Sequence, residues 1–118
     1  MLSSPKNDIP GHEQQLDLVF RALGDPTRRK LLARLTEKPA MVTELAQPFV
    51  ISLPAVSRHI RVLESAGLVR RAIDGRVHLC SLNAEPLRRV DAWLAHYRSF
   101  WAGALDSLAR YAEENHKP

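Results

Sequence analysis

Apolar residues recur every three or four positions along much of the chain, which is the spacing of amphipathic helices. The first such stretch ends at Gly24. The segment Asp25-Pro26-Thr27 then suits the N-cap and first turn of a second helix, which Pro39 closes. Residues Thr43 to Gln47 predict a short third helix. The positions expected to face the core are Leu16, Val19, Phe20 and Leu23 in the first helix, Leu31, Leu32 and Leu35 in the second, and Leu45 and Ala46 in the third.

A fourth, longer helix is predicted between Ser52, a favourable N-cap, and Gly67, which suits the position after a last turn. Val56, Ile60 and Leu63 form its apolar stripe, and polar or basic residues occupy the opposite face. A helix of about four turns with such a face fits the major groove of DNA, although an ordinary solvated surface helix shows the same pattern. The residues expected to read DNA are Ser52, Pro54, Ala55, Ser57, Arg58, His59 and Arg61.

Beyond this helix the apolar period changes to about two, which predicts a β-hairpin. Its strands, Leu68–Ile73 and Arg76–Leu82, flank Asp74-Gly75, a strong signal for a two-residue turn. In this register Arg71 lies opposite His78.

An isolated hairpin is only marginally stable in water, so this one is expected to pack on the helices through Leu68, Leu79 and Leu82. Its basic side chains project like a wing. The wing residues expected to contact DNA are Arg70, Arg71, Arg76 and His78.

Three cations, Arg28, Arg29 and Lys30, fall in the first turns of the second helix. Positive charge there is unfavourable beside the helix dipole. An anionic partner would remove this defect, although solvated surface charge is the more common explanation.

The last helix is predicted from about Glu85 to Tyr111 and carries both tryptophans of the chain. At 1.5 Å per residue it would be about 40 Å long, more than a small monomer easily covers. Its aromatic stripe predicts a dimer interface rather than an internal core helix. The residues expected to form the interface are Leu16, Val19, Phe20, Tyr97, Trp101, Leu105 and Leu108.

Composition adds two constraints. The 118 residues carry 17 Lys and Arg against 13 Asp and Glu, and the segment 52–82 contains five arginines against two acidic residues. The positive charge therefore lies mainly on the fourth helix and the hairpin, which favours an anionic partner. Cys80 is the single cysteine, and neither a signal-peptide core nor a membrane-length apolar run is found, so a cytoplasmic protein without an intrachain disulfide is expected.

The succession of helices, helix-turn-helix, wing and long helix resembles the ArsR/SmtB-type winged helix-turn-helix repressors. The segments that carry the resemblance are Phe20–Arg29, Thr43–Ala46, Ser52–Glu64, Ala66–Val69 and Asp74–Arg76. The resemblance implies a mostly α fold with a small β-hairpin. It also implies a homodimer paired through the first and last helices, which binds an inverted repeat in double-stranded DNA. The effector of such proteins is not readable from these residues.

The sequence departs from the metal-sensing members of that family. Segment 43–48, where they carry cysteine, has no thiol, and Asp91, His96, Asp106 and Glu113 do not repeat the spacing of their other metal site. The resemblance is therefore to the branch without metal-binding motifs, and no metal and no cofactor are expected. Val50 stands in a turn where relatives often have glycine.

These observations predict a flexible arm over residues 1–11, one DNA-binding and dimerisation domain over 12–111, and a polar tail over 112–118. The favoured function is a sequence-specific, homodimeric DNA-binding repressor. Two alternatives remain: a metal- or thiol-responsive sensor that uses the histidines and Cys80, and a winged-helix protein-interaction module that does not bind DNA. No enzyme is expected, since the sequence contains no phosphate-binding glycine loop or nucleophile motif.

Overall fold

The computed structural model describes residues 12–116, so the predicted arm over residues 1–11 lies outside the described residues. The helices are α1 (His12–Leu23), α2 (Pro26–Leu35), α3 (Val42–Ala46), α4 (Leu53–Ser65) and α5 (Glu85–His116). The strands are β1 (Ala40–Met41), β2 (Val69–Asp74) and β3 (Val77–Leu82). The chain divides into a first unit that ends at Leu87 and a second that begins at Arg88.

The core of the first unit is formed by the apolar stripes of its helices. Leu31, Leu32 and Leu35 of α2 are buried, as are Val56, Ile60 and Leu63 of α4. The predicted stripes of these two helices are therefore confirmed. In α1, Val19 is fully buried, whereas Phe20 is 40% exposed. Val19 is thus a core residue with no surface to offer a partner, which corrects its assignment to a dimer interface.

The helix ends follow the capping residues in the sequence. The Asp25 side chain accepts hydrogen bonds from the backbone N–H groups of Thr27 (2.8 Å) and Arg28 (3.1 Å) at the start of α2. Burial opposes ionisation of Asp25, but these hydrogen bonds and the electrostatic influence of His59 and Arg28 lower its pKa overall. Ser52 Oγ accepts from the N–H of Ala55 at 3.2 Å and caps α4. Gly67 follows α4 at a φ of 79°, a conformation that other residues rarely adopt.

The sheet has three strands in the order β1-β3-β2, all antiparallel. The hairpin was predicted, but β1 was not: Ala40 pairs with Cys80 and Met41 with Leu79. A strand of two residues is too short to show an alternating pattern in the sequence. Because β1 runs directly into α3, this pairing joins α3 to the hairpin.

The turn of the hairpin lies one residue beyond its predicted position. Asp74 pairs with Val77, so Gly75 and Arg76 are the two turn residues, and Arg71 lies opposite Cys80 instead of His78. Gly75 has a φ of 63°, and Arg76 does not have a positive φ. A turn of this kind needs a positive φ only at its first central residue, Gly75, whereas the predicted turn would have required a positive φ at both Asp74 and Gly75.

The face of β3 that packs on the helices is the opposite of the one predicted. Leu79, predicted to pack on them, is 40% exposed, whereas Cys80 is fully buried. Successive side chains of a strand point to opposite faces, so with Cys80 buried against the helices its neighbour Leu79 points away from them. Leu68, which precedes β2, is buried as predicted.

The long helix α5 begins at Glu85 as predicted and continues to His116, five residues beyond the expected end. Within the second unit the ring centroids of Trp93 and Tyr97 lie 5.0 Å apart. An exposed apolar face continues along the helix, formed by Tyr97, Phe100, Trp101, Leu105, Leu108 and Tyr111. No helix among residues 12–116 is long and apolar enough to cross a bilayer.

Candidate nucleic-acid interface

The outer face of α4 presents two arginines to solvent. Arg58 and Arg61 are exposed, and Ser57 beside them is half-buried. Within residues 12–116 neither arginine side chain forms a hydrogen bond or an ion pair. Their guanidinium groups are therefore accessible to a partner from outside the chain.

The first turn of α4 lies next to these arginines. Ser52, Leu53 and Pro54 are exposed and Ala55 is half-buried. The hydroxyl of Ser52 is already engaged in the cap. This end of α4 can thus approach a groove closely, while its only polar side chain stabilises the helix.

His59 has an internal partner rather than a free position on the outer face of α4. Its Nδ1 lies 3.1 Å from Nη1 of Arg28 on α2. Arg28 in turn donates from Nε to the carbonyl oxygen of Ala22 (2.7 Å) and from Nη2 to that of Arg21 (3.1 Å). His59 is therefore half-buried at the margin of α4 and helps to fix α4 against the end of α1.

Arg29, the next cation of α2, also contacts the end of α1. Arg29 Nη1 donates to the carbonyl oxygen of Leu23 at 2.7 Å, beside the two carbonyls that Arg28 contacts. The last carbonyls of a helix have no internal partner and carry its negative dipole charge. Arg28 and Arg29 thus stabilise the C-terminus of α1, and no anionic partner is needed to explain them.

Arg71 was predicted to project from the wing towards DNA, but it is turned towards α4. Its Nη2 and Nε donate to the two carboxylate oxygens of Glu64 at 2.8 and 3.2 Å, and its Nη1 lies 3.1 Å from Nδ1 of His78. The Arg71 side chain is only 14% exposed. Arg71 and His78 therefore hold the wing against α4 in the single chain, which differs from their predicted position as direct DNA contacts.

The two other wing arginines remain exposed. Arg70 lies on the opposite face of β2 from Arg71, and Arg76 stands in the turn. Neither has an ion pair in the described part of the chain. The exposed basic side chains of α4 and the hairpin that have no ion pair in the described residues are thus Arg58, Arg61, Arg70 and Arg76.

Arg71→Gln is expected to lower the free energy of unfolding by about 1–3 kcal/mol, because it leaves the carboxylate of Glu64 partly buried without its cation. Arg98→Gln is the matched control, since the Arg98–Asp91 pair on α5 is largely exposed and is worth at most about 1 kcal/mol. Urea denaturation of the two variants measures both values. Equal losses would contradict a special role for the Arg71–Glu64 contact.

The candidate residues of a sensor are less favourably placed. Cys80 is fully buried, and burial raises the pKa of its thiol, with Arg71 and Glu64 acting in opposite directions. A buried thiol of this kind is a poor nucleophile. In residues 12–116 no three His, Cys, Asp or Glu side chains come close enough together to hold a metal ion.

The sequence matches a family model described as a helix-turn-helix domain over residues 23–72. The HTH-type transcriptional regulator Rv2034 of Mycobacterium tuberculosis is 36% identical over 94 residues, which cover 80% of this chain and 85% of that protein. The transcriptional repressor SdpR of Bacillus subtilis is 33% identical over 79 residues, which cover 67% of this chain and 88% of that protein. The crystal structure of an ArsR family transcriptional regulator matches with a TM-score of 0.70 and 46% identity, covering 75% of this chain and 97% of the other.

Proposed function

Because the chain belongs to the ArsR family of helix-turn-helix transcriptional regulators, we propose that it is a homodimeric repressor that recognises an inverted repeat in double-stranded DNA. DNA binding itself follows from the family. The observation that supports sequence-specific reading is the pair of unengaged arginines, Arg58 and Arg61, on the outer face of a capped and well-packed helix. Arginine is the side chain that most often contacts guanine in the major groove.

The wing supplies the second part of the proposal. Arg70 and Arg76 are exposed on a hairpin that Arg71 fastens to α4. With α4 in the major groove, we assign Arg70 and Arg76 to the phosphate backbone beside it. Arginine–phosphate contacts add affinity and fix the register on the duplex, but they do not distinguish sequences.

The exposed apolar face of α5 supports pairing of two chains. Trp101 and Leu108 are 49% and 64% exposed, and with Tyr97 they share one face of a helix of 32 residues. Such a face is larger than a monomer ordinarily leaves in water. We assign it to a two-fold contact with a second copy of the chain, to which Leu105 also belongs. Leu16 and Phe20 on α1 keep exposed surface and remain proposed interface residues.

Selection of bound duplexes from a random pool tests this function. An inverted repeat is expected, with half-site centres about 34 Å apart so that two recognition helices lie on one side of the DNA. Recovery of no preferred sequence, or of a single asymmetric site, would contradict the proposal.

Single-arginine variants then test the division of roles. At least one of Arg58→Ala and Arg61→Ala should cost about 1–3 kcal/mol per half-site and relax one operator position, because a base contact is lost. Arg76→Ala should weaken binding to all sequences nearly equally. Arg110→Ala on α5 serves as the control for a loss of charge outside the reading surface. A changed sequence preference in Arg76→Ala, with none in the two α4 variants, would reverse the assignment.

A further inference from the structure

A cavity of about 270 Å³ lies between α3, α4 and the hairpin, within the first unit. Met41 and Val42 at the start of α3, Leu53 on α4 and Val77 on β3 give it a mainly apolar surface. Its volume is near the lower limit of ligand sites, which are about 300–1,000 Å³. An occupant of this size is a compact organic molecule with one or two rings.

The polar part of the lining is basic. Arg71, Arg76 and His78 contribute to it, together with the hydroxyl-bearing residues Thr43 and Ser57, and neither Asp nor Glu lines the cavity. The charge of Arg71 is already balanced by Glu64. Arg76 has no such balance among the described residues, so it is the cation that can hold an anionic group at the mouth of the cavity.

We propose that this cavity binds a small organic carboxylate, with the carboxylate on Arg76 and the apolar body against Met41, Leu53 and Val77. An inorganic anion would use the arginine but leave the apolar surface without a contact. A neutral apolar molecule would use that surface and leave the arginine unpaired. Only a molecule with both parts matches the whole lining.

The cavity adjoins the surface assigned to DNA, so an occupant is expected to affect DNA binding. This step rests on the proposed function. Arg76 on the wing and Ser57 on α4 border the same cavity, and both belong to the surface assigned to DNA. A carboxylate that engages Arg76 competes directly with a phosphate for that guanidinium. Ligand binding therefore lowers operator affinity by the same factor by which operator binding lowers ligand affinity.

Titration of the DNA-free protein tests the site without reference to DNA. The probe is 2-naphthoate and its matched neutral control is 2-naphthamide, followed by calorimetry and by amide chemical shifts. We expect naphthoate to bind at least 10-fold more tightly than the amide, with the largest shifts at residues 41–43, 53–57 and 76–78. Equal binding of the two compounds, absence of naphthoate binding, or shifts spread over all basic residues would overturn the proposal.

Two arginine variants of the hairpin separate a specific site from general attraction of anions. Arg76→Gln should weaken naphthoate binding at least 10-fold, whereas Arg70→Gln, which removes the same charge outside the cavity, should leave it unchanged. Arg76 is exposed and has no ion pair in the described chain, so folding of the variant is expected to be normal, and circular dichroism checks this. Equal weakening in both variants would overturn the site.

Competition is measured last, with a labelled duplex at constant ionic strength. Naphthoate should displace the duplex, whereas equimolar acetate, which lacks the apolar body, should not. Displacement by both salts equally, or by neither, overturns the competition. Absence of duplex binding by the wild-type protein overturns the proposed function, while the carboxylate site is still decided by the titrations alone.

Discussion

Leu108→Glu on α5 is expected to convert the proposed dimer into a monomer and to lower operator affinity by about 10²–10⁴-fold. Leu108 is 64% exposed in the single chain, so the substitution leaves that chain's own core intact. In the dimer it places a carboxylate in an apolar contact, where its desolvation is unfavourable. The affinity falls because two half-sites are no longer bound by one body, and the second binding event loses its effective concentration.

Sedimentation equilibrium at micromolar concentration and duplex titration measure the two effects. Ala95→Glu is the matched control, because Ala95 is exposed on the opposite face of the same helix. The control variant should remain dimeric and bind the operator normally. A wild-type protein that is monomeric at this concentration and still binds the operator tightly would refute the assignment of α5 to dimerisation.

Operator affinity is also expected to fall about 10³–10⁴-fold between 50 and 200 mM salt. Arg58, Arg61, Arg70 and Arg76 are free in each chain, and six to eight contacts from a dimer correspond to a slope of log K against log[salt] of about −5 to −7. Each phosphate contact releases condensed counterions, which is the source of the slope. Arg71 is excluded from this count because Glu64 already neutralises it.

Titrations at several chloride concentrations give the slope, and Arg70→Ala provides an internal check. Loss of one phosphate contact per chain should make the slope less steep by about 2 in the dimer. Arg98→Ala on α5 should leave the slope unchanged. A slope near zero for the wild-type protein would exclude the arginine–phosphate interface.

The sequence predicts α4 well because three independent signals agree there. The cap at Ser52, the apolar stripe through Ile60 and the glycine at position 67 each indicate the same helix, and all three have the predicted roles. The turn of the hairpin is predicted one residue too early. Gly75 can be the second residue of an Asp74-Gly75 turn or the first residue of a Gly75-Arg76 turn. The choice between the two depends on the pairing of β2 with β3 along their whole length.

The hydrophobic periodicity of the sequence does not show which polar side chains contact each other. Arg71 was predicted to be a free wing residue because hydrophobic patterning does not show that a carboxylate on α4 lies within 2.8 Å. One signal was present: Glu64 and Arg71 carry opposite charges on either side of the turn at Gly67. The contacts of Arg28 and Arg29 with the carbonyls of α1 could not be predicted from the sequence. Every helix ends in free carbonyls, so their presence does not show which side chains will bind them.

The short strand β1 also bears on the kinetics of the proposed DNA binding. Through the pairs Ala40–Cys80 and Met41–Leu79 it joins α3 to the hairpin, and Arg71 joins the hairpin to α4. The wing therefore does not have to become ordered when DNA arrives. For the proposed operator complex, we therefore expect association to be limited by diffusion and charge steering rather than by a folding step, and affinities for different operators to differ mainly in the dissociation rate.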